Sequence, residues 1–236
     1  MMNIIDLIIN SNEETLEEFI KNNPTIELNE PIKGITPLYS AITGGKLSMQ
    51  KKTGKGGKLE IVKLLLQNGA NPNKKSTLQP PVYTAVVEKN FRILSLLLMF
   101  GANPNTYCLK KISKDDNGKL KHCECIIPLV LAINNFDFES FEILINNNAV
   151  FSKETIKIAK RKKNKTEIWL KKYNNACDER DKLRKILKYS VDLKKMIKIM
   201  ETQYNENYEN KVDEFIEQNK KTGSYPNNFP GFRKIS

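Results

Sequence analysis

The chain of 236 residues has 39 lysines and arginines against 27 acidic residues, and its formal net charge is +12. It contains no apolar run that approaches the roughly 20 residues of a membrane-spanning helix, which weighs against an integral membrane protein. The N-terminus lacks the features of a signal peptide, and four cysteines make no dense disulfide framework. We therefore expect a reducing compartment, cytoplasmic or nuclear.

The first segment of the chain predicts a pair of short helices, over residues 2–10 and 13–22. Apolar residues recur in both at helical spacing. Asn12 is a suitable N-cap for the second helix, and the acidic residues that follow it favour a helix N-terminus.

Two sequence strings then alternate along the chain. The first begins at Thr36-Pro37 and ends at Ala41, and related strings occupy residues 80–85 and 127–132. Threonine can cap free N–H groups and proline suits the first helical position, so each string predicts the start of a helix. The alanine near its end would let neighbouring helices approach closely.

The second string, at 58–73, reads KLEIVKLLLQNGANPN and predicts a helix that is buried on more than one side. Gly69 supplies the positive φ that ends a helix without a Cβ clash. The string returns at 91–105 and at 138–150, where Asn148 takes the glycine position and tolerates the same conformation. Recurrence at an interval of about 32 residues indicates stacked supersecondary units.

Together the strings TPLYSA and KLEIVKLLLQNGANPN resemble the ankyrin repeat, whose signature is T-P-L-H-x-A. Tyr39 stands in the place of the family histidine. The resemblance covers roughly residues 1–174. It implies an all-α fold, an ankyrin-repeat solenoid with short β-hairpin fingers. The bias towards lysine, asparagine and isoleucine is similar to that of proteins from AT-rich genomes, such as large DNA viruses, protists and some bacteria.

By this resemblance the chain divides into five segments. They are a degenerate N-terminal cap at 1–28, three repeats at 29–152, a degenerate C-terminal cap at 153–175, a basic helical extension at 176–221 and a flexible tail at 222–236.

Beyond the repeats, the pattern predicts further helices. We expect a helix pair at 155–160 and 165–173 in the C-terminal cap, a long helix at 177–200 and a short helix at 208–218. The apolar stripe of the long helix either packs on its own domain or forms a coiled-coil dimer. We expect the first arrangement and a monomer.

Two insertions interrupt the repeats. Residues 48–59 lie between the two helices of the first repeat and duplicate Gly-Gly-Lys-Leu. We interpret them as a solvated loop rather than a phosphate-binding loop, because GKGGK lacks the P-loop spacing and no strand precedes it. The second insertion falls within 106–126, where a finger belongs. The turn residues at 115–118, Asp-Asp-Asn-Gly, predict that this finger extends as two strands.

No arrangement of residues predicts catalysis, so we expect no enzyme activity and no cofactor. The chain has one histidine, His122, close to Cys123 and Cys125, and Cys108 precedes them. These four residues could form a zinc site, but their spacing lacks the paired C-x2–4-C pattern of structural zinc sites. The alternative interpretation is a set of exposed, reduced thiols.

The densest basic run is consistent with a nuclear-import signal, a polyanion-binding patch or a solvated helix end. Its cations are Lys160, Arg161, Lys162, Lys163 and Lys165. Aromatic residues do not alternate with them, so stacking on single-stranded nucleic acid is not expected.

The resemblance implies a non-enzymatic module that binds another protein through its fingers and first helices. The implied contact positions are Lys33, Ile35, Thr77 and Gln79 in the turns, Thr43, Val87, Glu88, Asn134 and Asn135 on the first helices, and Leu109, Ile112 and Leu120 in the long finger. The alternative is an adaptor that binds nucleic acid or an acidic membrane through the basic segment 153–198.

Overall fold

The computed structural model describes residues 3–10, 12–45, 58–76, 79–114, 120–173, 180–204, 208–210, 212–214 and 217. At residues 109–114, 120–125, 172–173 and 180–183 it describes the backbone alone. The chain divides into two compact units, residues 1–108 and 109–236.

Six short helices form the described part of the first unit. They are α1 Ile4–Asn10, α2 Glu13–Asn22, α3 Pro37–Thr43, α4 Leu59–Gln67, α5 Pro81–Val87 and α6 Phe91–Met99. Helices α1, α3 and α5 pack side by side, as do α2, α4 and α6. Helices α3 and α5 also pack on the helix that follows each of them. This is the predicted ankyrin arrangement, with a first and a second helix in each repeat.

Polar side chains cap several of these helices at the predicted places. The hydroxyl of Thr36 accepts a hydrogen bond from the Tyr39 N–H at 3.2 Å. The side chain of Asn12 accepts one from the Thr15 N–H at 3.0 Å. Each bond satisfies an N–H group that has no partner within its helix, so both predicted caps are confirmed.

The second helix of each repeat ends in the left-handed conformation. Gly69, Gly101 and Asn148 have φ values of 89°, 82° and 62°, as their positions in the second string predicted. The next residue is an alanine in each case, and its N–H donates to a leucine carbonyl five residues earlier: Ala70 to Leu65, Ala102 to Leu97 and Ala149 to Leu144. The recurring bond fixes the same chain reversal three times.

Asparagine side chains join neighbouring repeats in the first unit. The Asn29 amide donates to the Gly69 carbonyl at 3.1 Å and accepts from the Asn71 N–H at 2.6 Å. Asn73 makes the same two bonds one repeat later, at 3.0 and 2.7 Å. Each side chain satisfies two backbone groups in the loop of the following repeat. The asparagine therefore recurs at the same position of successive repeats because its side chain bonds to the loop of the next repeat.

The first insertion, predicted at 48–59, falls mostly outside the described part of the chain, which omits residues 46–57 between α3 and α4. The N–H of Lys58 donates to the Ala41 carbonyl at 3.0 Å, and Asn90 makes the equivalent bond to Ala85 in the next repeat. Lys58 therefore occupies the position in the first repeat that Asn90 occupies in the next one, directly before the second helix.

Lys58 and Gly45 also hold the first helix of the chain. The Lys58 ammonium donates to the carbonyls of Ile8 and Ile9, at 2.6 and 2.9 Å, near the C-terminus of α1. A cation suits that end of a helix, where carbonyls lack partners and the dipole is negative. Gly45 has a φ of 81°, and a Cβ there would lie 2.7 Å from Ile9 Cγ1. Only glycine fits this position without strain.

Removing the twelve inserted residues is expected to leave a cooperatively folded protein. Deleting 46–57 gives the same chain as deleting 48–59, because Gly-Gly-Lys-Leu occurs twice. In the shortened chain a single Gly-Gly-Lys-Leu segment leads into α4, with its lysine at the N-cap position that Lys58 occupies. The shorter loop also costs less entropy to close. Thermal unfolding followed by circular dichroism should show one sharp transition with a small change in midpoint relative to the full chain. Loss of helical signal would contradict the position given to the insertion.

The second unit contains the long finger and four helices in its described part. Its elements are β1 Cys108–Lys114, β2 Leu120–Ile126, α7 Pro128–Asn135, α8 Phe138–Asn146, α9 Lys153–Tyr173 and α10 Arg180–Gln203. Cys108, the first residue of β1, is the last residue of the first unit. Helix α7 packs on α8 and α9, and α10 packs on α9 and α8. Residues 208–210 and 212–214 are also helical, within the predicted helix 208–218.

Helix α9 corrects one prediction. The sequence suggested two helices, at 155–160 and 165–173, but one helix runs from Lys153 to Tyr173. The intervening run contains neither glycine nor proline, and lysine and arginine are good helix formers. Nothing in these residues therefore stops the helix.

Helix α10 lies within the segment 176–221 that the sequence predicts as a basic helical extension. It starts at Arg180, residues 174–179 lie outside the described chain, and it packs on α8 and α9. It packs on α9 as the second helices α4, α6 and α8 pack on the first helices before them, and the boundary between cap and extension stays a prediction. Its apolar stripe, including Leu193, Met196 and Met200, is buried within the same chain. We therefore assign the stripe to intramolecular packing. The tail at 222–236 lies outside the described residues.

The segment after α10 folds back on the loop that follows α8. The Tyr208 hydroxyl accepts from the Phe151 N–H at 3.0 Å and donates to the Ala149 carbonyl at 3.4 Å. The two rings of Tyr208 and Phe151 lie 4.6 Å apart, and burial raises the pKa of Tyr208 to about 12. Lys153 pairs with Glu209 at 2.9 Å. These contacts hold the C-terminal segment against its own unit.

Candidate protein-binding surface

The first finger is a tight two-residue hairpin. Ile32 and Ile35 exchange backbone hydrogen bonds at 2.9 and 3.1 Å. The central residues, Lys33 and Gly34, have φ values of 52° and 79°, as a type I′ turn requires. Lys33 is exposed and Ile35 is half-buried, so the turn presents one charged and one apolar side chain.

The second finger departs from the predicted contact set. Thr77 lies outside the described residues, and Gln79 is buried. The Gln79 N–H donates to the Ser76 hydroxyl at 3.2 Å, which donates back to the Gln79 carbonyl at 3.3 Å. Gln79 therefore belongs to the turn itself, and we remove it from the candidate surface.

The long finger has the two predicted strands. Strands β1 and β2 have seven residues each and form a two-stranded sheet. Five residues connect them, too few for a parallel crossover, so the pair is antiparallel. Strands of this length extend about 20 Å. The predicted turn at 115–118 lies outside the described residues.

Three tyrosines belong to the first unit near Cys108, the residue that begins the long finger. Tyr39 and Tyr83 are buried on α3 and α5, and Cys108 is buried at the start of β1. Burial, with a smaller effect from the neighbouring Cys108, raises the pKa of Tyr83 to about 12. Lys75 lies over the Tyr107 ring, 4.2 Å from its centroid. Burial also raises the pKa of Tyr39, so both hydroxyls are protonated at physiological pH.

The first helices provide fewer contact positions than the sequence suggested. Thr43 is buried, and its hydroxyl donates to the carbonyls of Tyr39 and Ser40. It therefore cannot present its side chain to a partner. Val87 and Glu88 on the α5 end are half-buried and remain candidates.

In the second unit, Asn134 and Asn135 at the end of α7 are half-buried. The Asn134 carbonyl accepts a hydrogen bond from the Lys162 ammonium at 2.8 Å, so its backbone is already engaged. The backbones of Leu109, Ile112 and Leu120 lie in β1 and β2. These five positions belong to one unit.

Intramolecular contacts engage much of the basic run on α9. Lys160 pairs with Glu201 at 2.6 Å and Lys163 pairs with Glu167 at 3.4 Å. Lys162 lies 4.6 Å from the Phe136 ring centroid, and burial lowers its pKa, with a smaller effect from Lys165. Arg161 and Lys165 are exposed. The run is part of a packed helix, so its charge is only partly available to a polyanion.

The metal hypothesis gains no support from Cys108. Its thiol is buried, and burial raises its pKa, which disfavours the thiolate that zinc requires. This burial also corrects the expectation of an exposed thiol at Cys108. Within the described residues no group of three histidine, cysteine or acidic side chains could hold a metal ion. The side chains of His122, Cys123 and Cys125 are not among those described.

The outward face of α10 lies within the basic segment 153–198 that the sequence indicated, but none of its residues was named as a candidate. Residues 184–198 carry exposed cations at helical spacing, together with Leu187 and Val191. These cations recur at helical spacing, whereas the densest basic run in the sequence lies in α9. None of the described helices is long and apolar enough to span a bilayer.

Comparison with known proteins agrees with this geometry. The family model described as "Ankyrin repeat" matches residues 33–77, which include the first finger, α3, the insertion and α4. The chain has no significant match among the curated proteins. The matched segment shows an ankyrin repeat at residues 33–77, and the hydrogen bonds that recur beyond it show that the chain continues as an all-α repeat fold.

Proposed function

We propose that the chain binds another protein and that the long finger, β1 with β2, is the main element of specificity. Ankyrin repeats generally serve as protein-interaction modules. The observation that carries the proposal is the size of this finger: it has two seven-residue strands, whereas the first finger consists of one bridged turn at 32–35.

The backbone of the long finger offers a way to bind. A two-stranded hairpin has two outer edges with N–H and C=O groups that can pair with a strand from a partner. The composition of 109–120 combines lysines with Leu109, Ile112 and Leu120. A solvated spacer has no need of these apolar residues, whereas a docking element gains free energy by burying them.

Further contacts would come from each unit separately. In the first unit we propose Lys33, Ile35, Val87 and Glu88, together with Thr77, which lies outside the described residues. In the second we propose Asn134 and Asn135. Catalytic activity is not part of the proposal.

Trimming the finger tests this function. Replacing Lys110 to Lys121 with a short Gly-Asn turn removes the outer part of β1 and β2. Folding should be preserved, because changes in loop length cost little closure entropy. Partners captured by the full chain, identified by pulldown and mass spectrometry, should no longer be retained. Affinity for a captured partner is then measured with purified proteins.

The chain supplies a matched control for this test. Deletion of 46–57 also removes twelve residues, but from the insertion between α3 and α4. This variant should keep the partner and its affinity. If the trimmed finger binds the same partners as strongly as the full chain, the finger is not the site, and the first-helix positions near Val87 and Asn134 become the better candidates.

A second candidate function is contact with a polyanion through α9 and α10. The engaged lysines of the basic run disfavour that run as the site, but the exposed cations of α10 favour a neighbouring one. Polyanion binding should weaken steeply with added salt, because each neutralised phosphate releases counterions. Binding of a protein partner through the long finger should depend less on the salt concentration. The nuclear-import interpretation remains a prediction.

A further inference from the structure

Helix α10 has two faces of different chemistry. Its inner face buries Leu193, Met196, Ile197 and Met200 within its own unit. From residue 184 to residue 198 its outer face exposes eight side chains. Six of them are cationic: Arg184, Lys185, Lys188, Lys194, Lys195 and Lys198. The remaining two are aliphatic.

The outer face of α10 carries charge of one sign. The stretch 184–198 contains one acidic residue, Asp192, and it is buried. Lys194 lies 4.0 Å from Glu167, and Lys195 lies over the Phe138 ring, yet both lysines remain exposed. Ion pairs at such exposed positions are weak and exchange readily with other anions. The face therefore attracts anionic surfaces.

Apolar side chains interrupt these cations. Leu187 and Val191 are 48% and 49% exposed, and they lie one helical turn apart. Near the end of α9, Ile168 and Trp169 are 63% and 55% exposed. Among the described residues, α9 and α10 together hold four of the seven large hydrophobic side chains that are exposed. Phosphate contacts alone would not use aliphatic side chains, so nucleic acid explains the cations but leaves the aliphatic pair without a role.

We propose that the outer face of α10 docks on an anionic phospholipid surface. The helix would lie flat, with Leu187 and Val191 entering the boundary between headgroups and acyl chains. Lysine and arginine stems would extend sideways to the phosphate and carboxylate groups of the lipids. The fifteen residues 184–198 span about 21 Å of helix. This inference rests on the second candidate function, polyanion contact through α10, and names the polyanion as an anionic membrane; it is independent of the protein partner proposed for the long finger.

Vesicle flotation with the full chain tests the proposal. The probes are vesicles of pure phosphatidylcholine and vesicles that also contain about 30% phosphatidylserine. The chain should float with the anionic vesicles and not with the neutral ones. Raising the salt from about 0.1 M to about 0.5 M should reduce binding, because the Debye length shortens. Equal binding to both vesicle types, or to neither, would overturn the proposal.

Two double variants separate the parts of the surface. Lys185→Glu with Lys198→Glu should weaken binding to anionic vesicles by about tenfold or more, since each cation near the surface contributes about a factor of five. Leu187→Gln with Val191→Gln should weaken it by about threefold or more through lost apolar burial. Lys21→Glu with Lys63→Glu is the matched control: both lysines are exposed in the first unit, and the change in net charge is identical.

Duplex DNA serves as the competing occupant. If DNA binds more tightly than the anionic vesicles and binding is unchanged by Leu187→Gln with Val191→Gln, the face is a nucleic-acid site and the membrane proposal is wrong. Circular dichroism of each variant establishes that it is folded. The trimmed-finger variant should bind anionic vesicles like the full chain, so failure of the protein-partner proposal would leave this result unaffected.

Discussion

Truncation of Leu65 or Leu97 to alanine is expected to lower the free energy of unfolding by about 2–5 kcal/mol. Both side chains are fully buried, on the second helices α4 and α6, which pack side by side. The change removes apolar contacts and leaves a cavity that the surrounding helices fill only in part. Each repeat depends on its neighbours for a core, so the loss spreads beyond the mutated helix.

Denaturant unfolding of the variants measures this effect. Met99→Ala is the matched control, because Met99 lies on α6 with Leu97 but is 78% exposed. Its free energy of unfolding should change by less than about 0.5 kcal/mol. If Leu97→Ala were no more destabilising than Met99→Ala, the second helices could not be central to the core.

The sequence predicted best where a local signal acts alone. Helix α2 begins and ends as expected, at Glu13 and Asn22, because Asn12 caps it with a direct hydrogen bond. The left-handed positions Gly69 and Asn148 were also predictable, since few residues tolerate positive φ. These features depend on a few adjacent residues, so a single sequence contains the information that determines them.

Prediction failed where tertiary packing decides the outcome. The first and second helices of the repeats have 7–9 residues from α3 to α8, but α9 has 21 and α10 has 24. The repeat period is lost when the helices lengthen, so the sequence did not predict the bounds of α9 and α10. The position of these two helices beside α7 and α8 follows from buried residues such as Ala159 and Met200, whose partners lie far away along the chain.

The sequence predicted where the candidate contact residues lie in each repeat, but not which of their side chains are buried. A family motif places Thr43 near the end of a first helix, yet the motif does not indicate that the Thr43 hydroxyl bonds back to its own helix. Gln79 is buried for a similar reason, since its backbone forms a turn with Ser76. Local hydrogen bonds of this kind compete with any outward role and cannot be located from residue type alone.

Ending the chain after Tyr173 is expected to destabilise the second unit severely. The truncation removes α10, whose buried side chains Leu193, Met196 and Met200 cover α8 and α9. It also removes Tyr208, which bonds to the backbone of Ala149 and Phe151. The exposed apolar surface should lower the unfolding midpoint of this unit by about 10 °C or more, or abolish its cooperative transition.

Differential scanning calorimetry and circular dichroism of the truncated chain measure this prediction. Two controls accompany it. A chain that ends at residue 221 keeps α10 and should unfold like the full protein, because the sequence predicts a flexible tail beyond that point. Met196→Ala should cost about 2–5 kcal/mol, whereas Val191→Ala on the exposed face of the same helix should cost far less. If the chain that ends at Tyr173 unfolded at an unchanged temperature, α10 would be an appendage outside the repeats, and its inner face would have to be buried elsewhere.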